Sequence, residues 1–191
     1  MPRWEPNARQ RLEQAAIELF AEQGYDATTV EQIAEAAGLT RSTLFRHFRD
    51  KREILSGGHE GLDVRLGEVI RAADITWPPL QAVEAAFLDL EATWFPAERR
   101  HLAALRASVI AANPELRERE LLKRVAITEQ IGGALEERGL DNFSAAVTAH
   151  LATLAFSRAI ALWAQTGQSE AFHTIAVHAL RMTARTAAVI R

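Results

Sequence analysis

The chain has 191 residues, of which 48% are hydrophobic and 25% charged, and its formal net charge is -3. This composition is typical of a globular protein, and the length allows a sizeable core. The absence of cysteine excludes a disulfide framework, a thiolate metal site and a cysteine nucleophile. The first residues contain no apolar signal segment, and the longest apolar stretch, around 151–164, is interrupted by Ser157 and Arg158. We therefore expect a cytoplasmic protein with no membrane span.

The charge is distributed unevenly. Residues 38–52 carry five arginine and lysine side chains against the single carboxylate of Asp50, while the chain as a whole is acidic. A basic patch on an acidic body favours one surface that contacts an anionic partner. The alternative is a solvated surface face.

Apolar residues recur at helical spacing through nearly the whole chain, and no convincing strand pattern occurs. The first three predicted helices cover residues 8–23, 30–37 and 41–48. Thr29 and Thr40 are predicted N-caps of the second and third helices. Two short helices joined by Gly38-Leu39-Thr40 are typical of a helix-turn-helix. An ordinary helical hairpin is the alternative, and the basic, hydroxyl-rich face of the second of these helices argues against it.

After residue 50 the predicted helices are longer. They cover residues 51–73, a segment after Trp77-Pro78-Pro79, and 97–112, 114–138, 142–166 and 170–190. The fold class is therefore all-α with about nine helices. Three glycines within 56–61 make that turn the weakest part of the helix over 51–73, which indicates either close packing or a hinge.

The stretch 24–55, GYDATTVEQIAEAAGLTRSTLFRHFRDKREIL, resembles the N-terminal domain of the tetracycline-repressor (TetR) family of bacterial regulators. The resemblance covers roughly residues 8–55. It implies a helix-turn-helix DNA-binding domain over 1–52, with the motif at about 30–49, and a ligand-binding and dimerisation domain over 53–191. The segment 112–123, ANPELRERELLK, resembles family members that bind acyl-CoA-like ligands.

A recognition helix presents its N-terminal side chains to base edges in the major groove. The residues expected there are Thr40, Arg41, Ser42 and Thr43, and Arg41 can bond guanine through two donors. Phosphate contacts are expected from Thr28, Thr29, Arg46, His47 and Lys51. The family usually has tyrosine where this chain has Phe45, which can contact a thymine methyl group or a sugar, or simply pack.

The predicted helix over 142–166 is apolar nearly all round, so one face can pack on its own core and another on a second copy. With the last helix it would form a dimer interface, for which the expected residues are Leu151, Leu154, Ile160, Ile175 and Leu180. The alternative is a central helix in a monomeric core. Expected effector-pocket residues are the bulky side chains of the C-terminal helices, although each could be plain core: Leu62, Leu66, Phe87, Leu90, Trp94, Leu122 and Trp163. Arg158 lies in an apolar run and would need a partner if buried, either a carboxylate or an anionic ligand.

We therefore predict a DNA-binding transcriptional regulator: a homodimeric, ligand-responsive repressor on a palindromic operator, released by a small, largely apolar, acyl-CoA-like effector. The alternatives are an activator or a ligand-independent DNA-binding protein. An enzyme of helical fold is the third alternative. The sequence has no glycine-rich phosphate loop, HExxH motif or nucleophile elbow, so we predict no catalytic residue, metal site or cofactor.

Overall fold

The structure is a computed structural model that describes residues 7–57, 61–165 and 167–189. Within these ranges it contains ten α-helices, one short 3-10 helix at Ala97–Arg99 and no strand. The α-helices are α1 (Ala8–Gln23), α2 (Val30–Ala36), α3 (Arg41–His47), α4 (Lys51–Gly57), α5 (Leu62–Ala72), α6 (Pro79–Trp94), α7 (Arg100–Ala112), α8 (Pro114–Glu137), α9 (Asn142–Trp163) and α10 (Phe172–Val189). The all-α prediction is confirmed.

The start of α2 and of α3 follows the local capping chemistry predicted from the sequence. Thr29 Oγ1 accepts a hydrogen bond from the Gln32 amide, and the Gln32 side chain accepts one from the Thr29 amide, which completes a capping box. Thr40 Oγ1 accepts a hydrogen bond from the Thr43 amide at 3.2 Å. These caps satisfy amides that have no partner within their own helices.

The single helix predicted over 51–73 is wrong, because the structure has two helices there. Gly61 has φ +76°, a left-handed conformation that cannot continue an α-helix, and it lies directly before α5. Of the three glycines behind the hinge hypothesis, Gly58 lies outside the described residues. Asn7, directly before α1, has φ +76° and its side chain makes no capping hydrogen bond.

The chain divides into two compact units, and the division differs from the predicted boundary after residue 52. The first unit comprises Met1–Glu60 and His101–Arg117, and the second comprises Gly61–Arg100 and Glu118–Arg191. In the first unit, Val109 and Leu116 join the core formed by α1 to α4. Arg106 Nε also donates a hydrogen bond to the Leu55 carbonyl at 2.8 Å. The first unit therefore includes residues 101–117, a segment for which the sequence predicts a place in the second domain.

The second unit has a core rich in aromatic side chains. Phe95 stacks on Phe172 with ring centroids 3.9 Å apart, and Phe156 and Trp163 present their rings edge-on to both. Phe87 extends the cluster through a 5.3 Å contact between its ring centroid and that of Phe156. α9 and α10 pack on each other and on α6. The residues that build this core thus come from three helices and from the turn after α6.

α9 is long and apolar enough to cross a membrane by length and composition, with mean hydropathy 1.4 over its most apolar window. One such helix is weak evidence for a span, because a core helix of a globular domain passes the same test. Here the buried face of α9, which includes Ala152, Phe156 and Trp163, packs inside the second unit.

Candidate nucleic-acid interface

α3 has one face in the core and one face in solvent. Leu44 and Phe48 are buried with Leu12 and Ile33. On the opposite side the exposed residues are Arg41, Ser42, Phe45 and Arg46. α3 therefore holds a basic and hydroxyl-bearing surface in a fixed orientation on a small hydrophobic core.

Arg41 occupies the first position of α3 and is held on two sides. Its Nη1 atom lies 2.8 Å from Glu31 Oε1 on α2, and its guanidinium carbon lies 5.3 Å from the ring centroid of Phe45, one turn further along α3. The Arg41 side chain remains 63% exposed. Arginine has five N–H donors, so one ion pair leaves donors available for a base.

Thr28 and Lys51, for which the sequence predicts phosphate contacts, make hydrogen bonds within the first unit. Thr28 is 2% exposed, and its hydroxyl donates a 2.8 Å hydrogen bond to the Gly24 carbonyl. Lys51 Nζ donates hydrogen bonds to the Tyr25 and Thr28 carbonyls at 2.5 and 3.0 Å. It also lies 4.3 Å from the Tyr25 ring centroid. Both side chains fix the loop between α1 and α2, so the structure assigns them a structural role.

The other predicted hydroxyls remain at the surface. Thr29 and Thr40 are exposed, and Thr43 is half-buried with its hydroxyl oxygen 3.0 Å from that of Thr40. The threonines that cap α2 and α3 therefore combine a local structural role with an accessible oxygen. Ser42 is exposed in the first turn of α3.

His47 lies at the end of α3 among positive charges. Partial burial lowers the pKa of His47 below its ordinary value of 6.5, and the nearby Arg46 and Arg9 lower it further. The imidazole is therefore neutral at pH 7 in the isolated domain. A phosphate brought next to it would favour the protonated form.

The predicted effector residues divide into two groups. Leu62, Leu66, Phe87, Leu90 and Trp163 are buried in the second unit, and Trp94 is half-buried. Leu122 is 65% exposed, however, and Arg158 is exposed, so neither lies in an interior pocket and Arg158 requires no buried partner. Helical periodicity alone did not distinguish the outward faces of α8 and α9 from their inward faces.

The predicted dimer residues divide in the same way. Ile175 and Leu180 are 5% and 0% exposed because α10 packs them into the core of its own unit. Leu151 and Ile160 are half-buried, and Leu154 is 52% exposed. The sequence did not identify three other apolar side chains of α9 that are exposed, Phe143, Val147 and Leu162.

An open groove of about 550 Å³ lies in the first unit, between the end of α1, the loop that follows it and the end of α7. Val109, Tyr25 and Asn113 are among its lining residues. It contains none of the residues predicted for the effector pocket.

Sequence reasoning also missed Glu31 and the indole N–H of Trp163. Glu31 is an ordinary acidic residue in the first turn of α2, and nothing in its spacing indicates a pair with Arg41. The Trp163 Nε1 atom is buried without a hydrogen-bond partner among the described residues. A buried donor without an acceptor is uncommon, because its desolvation is not compensated.

Comparison with known proteins agrees with this geometry. Residues 13–56 match the family described as bacterial regulatory proteins, tetR family. The transcriptional regulator TcmR of Streptomyces glaucescens is 40% identical over 79 residues, which is 41% of this chain and 35% of TcmR. The chain spans less than half the length of this and other curated relatives that it matches.

Two solved structures share the fold over nearly the whole chain. FadR of Thermus thermophilus, a repressor in complex with lauroyl-CoA, has a TM-score of 0.55 at 21% identity and covers 92% of this chain and 93% of its own. SmeT in complex with triclosan has a TM-score of 0.62 at 18% identity, with coverage of 94% and 90%. FadR is described as a transcriptional repressor. Residues 13–56 therefore match the tetR family of bacterial regulatory proteins, and the chain as a whole shares its fold with solved structures such as FadR and SmeT.

Proposed function

We propose that the protein is a cytoplasmic, ligand-responsive repressor that binds a palindromic operator as a homodimer. The observation that carries the proposal is the outer face of α3, where Arg41, Ser42 and Arg46 are exposed above a buried Leu44 and Phe48. A helix of this kind enters the major groove with its first residues toward the bases.

Within this interface the contacts divide into two kinds. Arg41, Ser42 and the threonines near the start of α3 contact base edges, and Arg41 bonds guanine O6 and N7. Arg46, His47 and Thr29 contact phosphates, which fix the position of α3 without carrying sequence information. Phe45 supports the Arg41 guanidinium and offers its exposed edge to a thymine methyl group or a sugar.

The test is selection from a random duplex pool by the full-length protein, followed by anisotropy titrations at several salt concentrations. We expect an enriched motif, tight binding to that motif and an affinity that falls steeply with salt. Arg41→Ala should remove the preference at one base pair, while Arg46→Ala should weaken all duplexes alike. Equal affinity for all duplexes would contradict sequence-specific binding.

The homodimer is supported by a stripe of exposed apolar side chains along α9. Phe143, Val147, Leu154 and Leu162 are between 41% and 77% exposed, and their spacing puts them on one side of the helix. Met182 on α10 is also exposed, at 46%. An apolar surface of this kind favours association, since water contact with it is unfavourable. Two copies would present two α3 helices to a two-fold symmetric site.

The effector proposal rests on the aromatic core of the second unit. Trp163 offers a buried N–H donor that lacks a protein acceptor, and the surrounding rings offer apolar contact. A largely apolar molecule with one hydrogen-bond acceptor would satisfy both features. The neighbours in complex with lauroyl-CoA and with triclosan show that this fold accommodates apolar ligands in other proteins.

Lauroyl-CoA and triclosan are therefore the first probes, added to the protein on its selected duplex. We expect at least one of them to release the duplex, and Trp163→Phe, which keeps an aromatic ring but removes the N–H, to need a higher concentration. Leu122→Ala is the control, because Leu122 faces solvent. If neither probe nor a wider set of apolar compounds changes DNA affinity, a ligand-independent DNA-binding protein is the better account. The effect of the protein on transcription from a promoter that carries the selected site distinguishes repressor from activator.

A further inference from the structure

Glu31 and Arg41 form an ion pair at the surface of the first unit, outside its hydrophobic core. Glu31 Oε1 lies 2.8 Å from Arg41 Nη1, yet the two side chains are 54% and 63% exposed. An exposed ion pair contributes only about 0–1 kcal/mol to folding, so stability gives little reason for it. Both residues belong to the first turns of the two helices that form the helix-turn-helix.

We propose that Glu31 is a specificity-determining positioning residue, which holds the Arg41 guanidinium for base contact and prevents it from acting as a general phosphate-binding cation. This inference rests on the proposed DNA-binding function. It adds a role for an acidic residue within an interface that is otherwise basic.

Two properties of the arrangement support this role. First, the guanidinium is held on one side by the Glu31 carboxylate and on another by the Phe45 ring, 5.3 Å away. An unrestrained arginine side chain loses substantial rotamer entropy when it binds, so a guanidinium held in place beforehand loses less. Arginine has five N–H donors, so the pair with Glu31 leaves donors for the two acceptors of guanine.

Second, the pair is electrically neutral. Arg41 beside Glu31 attracts a phosphate less strongly than a lone arginine does, and the carboxylate itself repels phosphate. Binding at sites without the correct base therefore gains little from Arg41. Binding at the correct site still gains the two hydrogen bonds to guanine. The carboxylate therefore increases the difference in affinity between the correct site and other sites.

Glu35 supplies a matched control. It lies one turn after Glu31 on α2, is also exposed, and makes no described ion pair with Arg41. Replacing either glutamate by glutamine removes one negative charge from α2. Both changes should therefore raise general DNA affinity through weaker repulsion, but only Glu31→Gln removes the restraint on Arg41.

The experiment compares the wild-type protein, Glu31→Gln and Glu35→Gln on duplexes obtained by selection from a random pool. Arg41→Ala first identifies the base pair that Arg41 contacts, as the position where preference is lost. We expect Glu31→Gln to raise affinity for an unrelated duplex about threefold to tenfold and to steepen its salt dependence by about one unit, because Arg41 then neutralises a phosphate. It should also lower the preference at the Arg41 position at least about threefold. Thermal unfolding should change little, because an exposed ion pair contributes little to folding.

Two failures are distinguishable. If the wild-type protein selects no motif, the proposed function itself fails. If the wild-type protein and Arg41→Ala behave as proposed, but Glu31→Gln keeps the same base preference and the same salt dependence as Glu35→Gln, only the role of Glu31 is overturned.

Discussion

At the scale of single residues, the polar side chains of the first unit separate into those that hold the loop between α1 and α2 and those that are exposed to a partner. Lys51 and Thr28 belong to the first group, because their polar atoms bond the carbonyls of the segment 24–28. Arg41 and Arg46 belong to the second group. Residue type does not make this distinction, since lysine, threonine and arginine all contact phosphate in protein–DNA interfaces.

Lys51→Met should therefore lower stability. The change removes a charged donor from two carbonyls. Hydrogen bonds to charged groups contribute about 1.5–3 kcal/mol each when buried, but Lys51 is only half-buried, so water offsets part of the loss and we expect roughly 1–3 kcal/mol in total. Urea unfolding measures it. Arg46→Met is the comparison, because it should leave unfolding unchanged and weaken DNA binding. If the Lys51→Met protein had wild-type stability and its DNA affinity depended less steeply on salt, Lys51 would be a phosphate contact rather than a structural residue.

His47 should make DNA affinity depend on pH. Its pKa is lowered by partial burial, Arg46 and Arg9, so the free protein carries a neutral imidazole above pH 6.5. As pH falls below that value the imidazole gains a positive charge, which favours phosphate contact. The same lowered pKa means that its contribution to stability is present above pH 6.5 and is lost as pH falls toward the folded value.

We expect operator affinity to rise between pH 7.5 and pH 5.5 in the wild-type protein and to rise less in His47→Gln. Anisotropy titrations at constant ionic strength measure the two profiles. Identical profiles for both proteins would show that His47 does not contact phosphate.

At the scale of helices, sequence patterns within one helix predicted more of the structure than could be predicted about contacts between helices. The caps at Thr29 and Thr40 and the buried positions Leu44 and Phe48 follow from short-range patterns, and the structure has them. The break before α5 was not predicted. Glycine can adopt either a helical or a left-handed φ, and the sequence alone does not show which one Gly61 adopts. The Glu31–Arg41 pair and the hydrogen bonds of Lys51 to carbonyl groups depend on how different helices pack against one another. The spacing of residues along a single helix carries no information about that packing.

Two glycines give opposite predictions for the same substitution. Gly38 ends α2 with φ +63°, where the Leu39 amide donates to the Ala34 carbonyl, and an added Cβ would lie 2.9 Å from Arg11 Nη2. Gly38→Ala should therefore cost about 1–2 kcal/mol. Gly133 lies within α8 with open space at its Cβ position, so Gly133→Ala should stabilise by about 0.5–1 kcal/mol. Thermal unfolding of both variants checks the signs, and a stabilised Gly38→Ala protein would contradict the left-handed turn.

At the scale of the whole molecule, the account requires two copies of the chain. Leu154→Glu introduces a charge into the exposed apolar stripe of α9, where Leu154 is 52% exposed. We expect it to shift the protein from dimer to monomer in sedimentation at micromolar concentration. Leu88→Glu on α6 is the control, because Leu88 is similarly exposed, at 56%, but lies outside the stripe. A Leu154→Glu protein that remains dimeric would exclude α9 as the interface.

The central claim is that two α3 helices of a dimer contact a two-fold symmetric operator. The most direct measurement compares, at one salt concentration, the affinity of the full-length protein for the selected palindrome and for a duplex with one half-site replaced. The account predicts two chains per duplex, half-sites about 34–36 Å apart and a loss of at least ~100-fold when one half-site is removed. Equal affinity for the two duplexes, with one chain bound to each, would contradict it.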